Sequence, residues 1–294
     1  KALAHDAAEL GAERFVLDDG WFKGRRNDHT SLGDWVPDQE RFPEGLGPLI
    51  AHVHALGMRF GLWVEPEMVS RESMLYRAHP EWVLGYPDPG APTGRQQLVL
   101  DLSNEHVRDY LFDCLSALLS QGGIDYLKWD CNRELYPAEM RGRQRAHAQV
   151  EGLYALWRRL RDAFPHVEIE SCASGGGRMD FGVLPFVSRF WASDATDALD
   201  RIRINRAAMS QLPQEMIGAH VGSSPNHITG RTFSMAFRAM VALFGHFGLE
   251  LDPAQLTAEE RKTLIHAIGI FKRFRGLIHE GRIMWQDERD PALD

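Results

Sequence analysis

Cysteine is scarce in this sequence. The 294 residues hold three, Cys114, Cys131 and Cys172, too few and too scattered for a disulfide framework or a zinc module. No apolar run is long enough to span a bilayer, and the N-terminus lacks the charged, apolar and small-residue succession of a secretory leader, so no membrane partner is expected and the cytoplasm is the default location. Basic residues are in deficit, 33 Lys and Arg against 41 Asp and Glu for a net charge of −8, which argues against nucleic acid or an anionic membrane as the main partner. No G-K-[ST] follows Gly175-Gly176-Gly177, so phosphate cradling has weak support. His52 and His54 form an H-x-H, but within a helical pattern, where residues two apart face different directions. Metal and other cofactors are therefore not expected.

Apolar residues make up 44% of the chain, enough for one large α/β barrel or two ordinary domains. Periodicity separates helical stretches (2–10, 46–56, 104–119, 144–163, 200–209, 232–244 and 257–277) from short apolar runs with strand character. Strands are expected to end near Leu17, Val64, Trp129, Ser171, Ala192, Val221 and Leu251. The two β-prone runs at 82–86 and 96–100 flank a Pro- and Gly-rich turn, which predicts a hairpin lying over the strand mouths. Strands and helices alternate without an internal linker, the pattern of an α/β protein built as a (β/α)8 TIM-type barrel, with residues 1–294 as one domain.

The strand mouths carry the chemistry. Lys128-Trp129-Asp130-Cys131-Asn132 closes an apolar run, and the pitch of two turns Lys128 and Asp130 into the same space. A lysine beside a carboxylate favours its ionised form, which suits a nucleophile; a structural ion pair is the alternative reading. Asp18 and Asp19, with Trp21 and Trp35 downstream, form a cluster suited to sugar, since carboxylates accept hydroxyl protons and indoles cover C–H faces. A capping Asp with a turn Gly is the plainer explanation. Arg95 sits at the hairpin edge, where a surface salt bridge would account for it. Asp194, with Trp191 and Asp197 nearby, has the apolar and like-charged surroundings that favour a protonated carboxyl. Carboxylates and tryptophans without metal ligands or a Ser-His pair point to glycoside hydrolysis, with Asp130 attacking the anomeric carbon and Asp194 protonating the leaving oxygen.

At these residues the chain resembles the bacterial α-galactosidases of glycoside hydrolase family 36. The resemblance runs through FVLDDGWF (15–22), LGDW (32–35), FGLWVEPEMV (60–69), HPEWVL (79–84), GRQQLVLDLS (94–103), KWDCNR (128–133), ESCASGGGR (170–178) and SDATD (193–197). It implies a retaining α-galactosidase acting on α-galactoside oligosaccharides of the melibiose and raffinose type. Asp130 would be the nucleophile and Asp194 the acid/base. Asp18 and Asp19 would grip the O4 and O6 hydroxyls, Trp63 would pack on the galactose, and Arg95, Lys128, Asn132, Cys172 and Gly175 would complete the pocket. Departures at Cys131, Ala192 and Ala195 leave the catalytic pair intact and bear on fine specificity. Action on α-N-acetylgalactosaminides, galactosyl transfer, or sugar binding without catalysis are the competing readings. The resemblance also implies that the barrel lacks its first strand here, that the family's N- and C-terminal β-domains lie outside this sequence, and that the full-length protein is a homo-oligomer.

Overall fold

A computed structural model describes residues 1–86, 90, 92–281 and 283. Its centre is a parallel sheet of five strands, β1 (Arg14–Leu17), β2 (Arg59–Val64), β3 (Ile124–Trp129), β4 (Glu168–Ser171) and β5 (Arg189–Phe190), hydrogen-bonded in that order. Two further strands, β6 (Gly218–Gly222) and β7 (His246–Glu250), form a separate parallel pair. A single parallel bridge between Phe190 and Ile217 carries the first group toward the second. The longer helices that accompany them, those of eight residues or more, are α1 (Ala2–Leu10), α2 (Gly47–Ala55), α3 (Glu105–Leu119), α4 (Ala146–Ala163), α5 (Ala198–Met209), α6 (Met235–Ala242) and α7 (Ala258–Glu280).

Seven parallel strands thus stand where the sequence places them, but the described strands do not close into a cylinder. The physical reason lies in the edges: β1 and β7 have no second hydrogen-bonded neighbour among the described residues and remain partly exposed along their lengths. α1 and α7 nevertheless pack together, with Arg261 reaching Asp6 and Glu9 and Arg275 bonded to Glu13.

Register explains the division of labour across the five-stranded sheet. Trp63, Lys128, Glu170 and Arg189 occupy one row, and the alternation of side chains puts them on one face. That face is polar: Arg14 is bonded to Glu168 at 2.8 Å, Tyr126 to Glu170 at 2.5 Å, and Arg189 to His246 at 3.0 Å. The residues between them, Leu62, Leu127, Ile169, Val64 and Trp129, belong to the main apolar core together with Leu111, Leu115, Leu156 and Trp157 from α3 and α4. Each such buried side chain stabilises the fold by about 1.5–3 kcal/mol. α3 begins at Asn104, whose side chain accepts from the His106 N–H at 3.0 Å, and buries Val107, Leu111, Leu115 and Leu118 at helical spacing.

The expected hairpin is present in part, with the Leu84 N–H donating to the Val99 carbonyl at 2.8 Å and the Asp101 N–H to the Trp82 carbonyl at 2.7 Å. Leu98–Val99 pairs antiparallel with Met68–Val69, and the 82–86 run contributes a 3₁₀ turn (Pro80–Trp82) and one bridge from Val83 to Leu100. Residues 87–89 and 91 of the intervening turn lie outside the described residues.

Candidate active site

Asp130 follows β3 directly and is 6% exposed. Its Oδ2 accepts from the Trp63 indole at 3.1 Å and from Asn132 Nδ2 at 2.7 Å, while Oδ1 accepts from the backbone N–H groups of Cys131 at 2.9 Å and Ser174 at 3.0 Å. Burial disfavours the charge. The four donors outweigh it, with Ser174 first, and hold the carboxyl below the usual aspartate range. The result is an ionised carboxylate of fixed orientation at the C-terminal end of a parallel strand, where α/β sheets place their chemistry.

The strand register brings the neighbours into line. Trp63 ends β2 beside Lys128, and its carbonyl accepts from Trp21 Nε1 at 2.8 Å. Lys128 does not pair with Asp130. It reaches across two strands to Asp18 Oδ2 at 2.7 Å, so the ion pair expected within β3 is instead one between β3 and the end of β1. Burial works against the ammonium, yet Asp18 keeps its proton affinity above that of a free lysine. Asp19 is held from its own loop, with Arg25 Nε at 3.1 Å from Oδ1 and Nη2 at 2.9 Å from Oδ2. Asp18 and Asp19 are therefore cation-paired rather than helix caps.

Cys172 follows β4 and is buried; that burial first, and the Asp130 charge second, push its thiol up and keep it neutral. The chain then turns through four left-handed residues, Ala173 (φ 48°), Ser174 (57°), Gly175 (74°) and Gly176 (97°). This turn aims the Ser174 N–H at Asp130. A Cβ on Gly175 would meet the Asp194 nitrogen at 2.5 Å, and one on Gly176 the Ala192 carbonyl oxygen at 2.5 Å. Left-handed backbone disfavours a side chain, though Ala173 and Ser174 adopt it, and at Gly175 and Gly176 the close approach leaves no room for one. The loop that binds Asp130 and the Asp194 segment are thus in backbone contact.

Asp194 is exposed, and its Oδ1 accepts from Trp191 Nε1 at 3.0 Å. Its expected like-charged neighbour is otherwise engaged: Asp197 caps α5 through the N–H groups of Leu199 and Asp200 and pairs with Arg231 at 3.2 Å. The cation near Asp194 is Arg201, discussed below.

Residues 1–281 match the Melibiase family model. The chain belongs to the melibiase family. An α-galactosidase of Escherichia coli is 50% identical over 284 residues, which are 97% of this chain and 40% of that protein. AgaA of Geobacillus stearothermophilus is 44% identical over 286 residues, 95% of this chain and 39% of its own. Among solved structures, the galactosidase domain of the α-galactosidase–sucrose kinase AgaSK superposes with a TM-score of 0.91 at 42% identity, over 95% of this chain and 39% of that one. A variant of G. stearothermophilus AgaA in complex with raffinose gives 0.90 at 43% identity, over 95% and 40%. This melibiase-family chain spans about two fifths of the length of the relatives it matches.

Of the site residues expected from the sequence, the structure joins Asp130, Trp63 and Asn132 by direct bonds, Lys128 and Asp18 by an ion pair, and Gly175 and Asp194 by contact. Arg95 stands apart, exposed and in left-handed backbone (φ 46°), although its charge reaches Glu65. Glu65, Arg25 and Arg201 were not foreseen. Glu65 is fully buried, accepts from the Asn132 N–H at 2.5 Å and from Gln97 Nε2 at 3.2 Å, and is pushed by burial and by Asp130 up to about 8. Beneath it Glu67 binds Arg178 at 2.9 Å and the Trp129 indole at 3.0 Å. The E-P-E sequence after β2 was the available signal, because two acids directly behind an apolar strand need buried partners. Among the described residues no helix is long and apolar enough to cross a membrane.

Proposed function

We propose that this chain carries the catalytic site of a retaining α-galactosidase of (β/α)-barrel type. The observation that carries the reading is the Asp130 carboxylate, buried, held ionised by four donors, one of them from the loop whose glycines touch the segment that bears Asp194. In this mechanism Asp130 attacks the anomeric carbon and becomes a neutral glycosyl ester, while Asp194 gives its proton to the departing oxygen and then takes one from water. The donors on Asp130 fix the attacking oxygen before substrate arrives. Exposure of Asp194 fits a group that must exchange protons with an incoming water.

Asp18 and Asp19, already paired with Lys128 and Arg25, are acceptors of fixed orientation for the O4 and O6 hydroxyls. Trp63 supplies the apolar wall, and Asn132, Lys128, Cys172, Gly175 and Arg95 complete the pocket. Asp18 and Asp19 are exposed in the free chain; a bound sugar would cover them, and a site that needs an axial hydroxyl then rejects the epimer that leaves its acceptors unpaired. Relatives bound to raffinose and stachyose support α-galactoside oligosaccharides as the substrate class. The test compares nitrophenyl α-galactoside, α-glucoside and α-N-acetylgalactosaminide in the full chain. Preference for the galactoside by at least about 100-fold is expected; equal or greater turnover of either other glycoside would reject the assignment.

A further inference from the structure

Arg201 lies in the first turns of α5 with 1% of its surface exposed. Its guanidinium has no ion-pair partner among the described residues, and its contact with Asn205 Oδ1, at 3.5 Å, is at the limit of a hydrogen bond. Its strong bonds go to backbone. Nε donates to the Ala195 carbonyl at 2.7 Å and Nη2 donates to the Ser193 carbonyl. The planar group also stacks on Trp191, 4.0 Å from the ring centroid.

These three contacts converge on one residue. Ser193 and Ala195 flank Asp194, and Trp191 is the side chain whose indole N–H bonds the Asp194 carboxyl at 3.0 Å. A single buried cation therefore grips the chain on both sides of Asp194 and the ring that orients it. Burying a guanidinium without a counter-ion is unfavourable, and burial draws its proton affinity down to about 10, against the fields of Glu250 and Asp194. An apolar residue would fill the same space at less cost. Asp194 itself is exposed and β5 before it has two residues, so neither packing nor a long strand fixes the carboxyl.

We infer that Arg201 is a positioning residue for proton donation, setting the Asp194 carboxyl against the leaving oxygen through Ser193, Ala195 and Trp191. The inference rests on the reading of Asp194 as the acid/base. Its chemical consequence is selective. A sugar alkoxide leaves only as a proton arrives, whereas a dinitrophenolate departs unaided, so a misplaced acid slows the first and spares the second. General loss of structure slows both alike.

The test measures kcat/KM, which reports the first bond cleavage, for raffinose and for 2,4-dinitrophenyl α-galactoside in the full chain. Arg201→Lys keeps the charge and loses the planar fork. It should lose about 100-fold or more on raffinose and less than about 10-fold on the aryl substrate. Trp191→Phe keeps a ring beneath Arg201 and removes the donor to Asp194; it should show the same split and decides the matter if Arg201→Lys does not fold. Arg238→Met is the structural control, because Arg238 on α6 is also buried but bonds the Gly222 carbonyl at the end of β6 and Glu260 on α7; its losses should be equal on both substrates. Equal losses in Arg201→Lys and Trp191→Phe would overturn the inference. A wild-type chain that cleaves neither substrate would instead overturn the proposed function on which it stands.

Discussion

Glu65 shows how one buried carboxyl can tie stability to pH. Its carboxyl is pushed up to about 8, from an ordinary 4.5, by burial and by the Asp130 charge. The folded state therefore holds a proton that the unfolded chain releases. The stability this gives is fully present below about pH 4.5 and is lost as pH rises through about pH 8. Glu65→Gln keeps an acceptor for the Asn132 N–H and removes the titration. Its melting temperature relative to wild type should climb between about pH 5 and pH 8, by up to about 1.4 kcal/mol of stability per pH unit. A difference that stays constant with pH would refute this. The sequence made Asp130, Trp63 and Asn132 legible because they sit on one strand end or its neighbour. It misassigned the partner of Lys128, because a pitch of two fixes the face of a side chain but not which charge across the sheet lies closest.

At the scale of elements, the turn after β4 joins the two halves of the site. Gly175 has φ 74° and its absent Cβ would lie 2.5 Å from the Asp194 nitrogen. Gly175→Ala should cost about 1–3 kcal/mol from the left-handed backbone alone and displace the Asp194 segment as well. Denaturant melts and kcat/KM should therefore fall together, and a variant with wild-type kcat/KM would show that the contact is dispensable. β1 and β2 have the bounds read from the sequence, because both are short apolar runs closed by polar residues. The predicted hairpin is present in part, since Val83 bridges Leu100 antiparallel and the Leu84 N–H donates to the Val99 carbonyl at 2.8 Å; what the sequence did not show is that Leu98–Val99 also pairs with Met68–Val69 about thirty residues upstream, because local pattern carries no information about a distant strand. Arg201 was hidden likewise, since nothing in the spacing of a helix marks a guanidinium that points back at the loop before it.

Across the whole molecule, the five-stranded sheet carries Asp130, the proposed nucleophile, and the passage from β5 to the β6–β7 pair carries Asp194, the proposed proton donor. Strand count and order were legible, because each strand is separated from the next by punctuated sequence. Closure was not, since it depends on what covers the edges of β1 and β7. The central claim is that Asp130 and Asp194 act on opposite sides of one anomeric centre. The configuration of the product formed with azide tests it most directly. Asp130→Gly should lose several orders of magnitude in rate on an activated aryl α-galactoside and recover in part with azide, giving the β-galactosyl azide, because the anion attacks where the carboxylate stood. Asp194→Gly should give the α-azide, because the glycosyl ester still forms and azide then opens it. Near-full activity in both variants, or the α-azide from Asp130→Gly, would contradict the account.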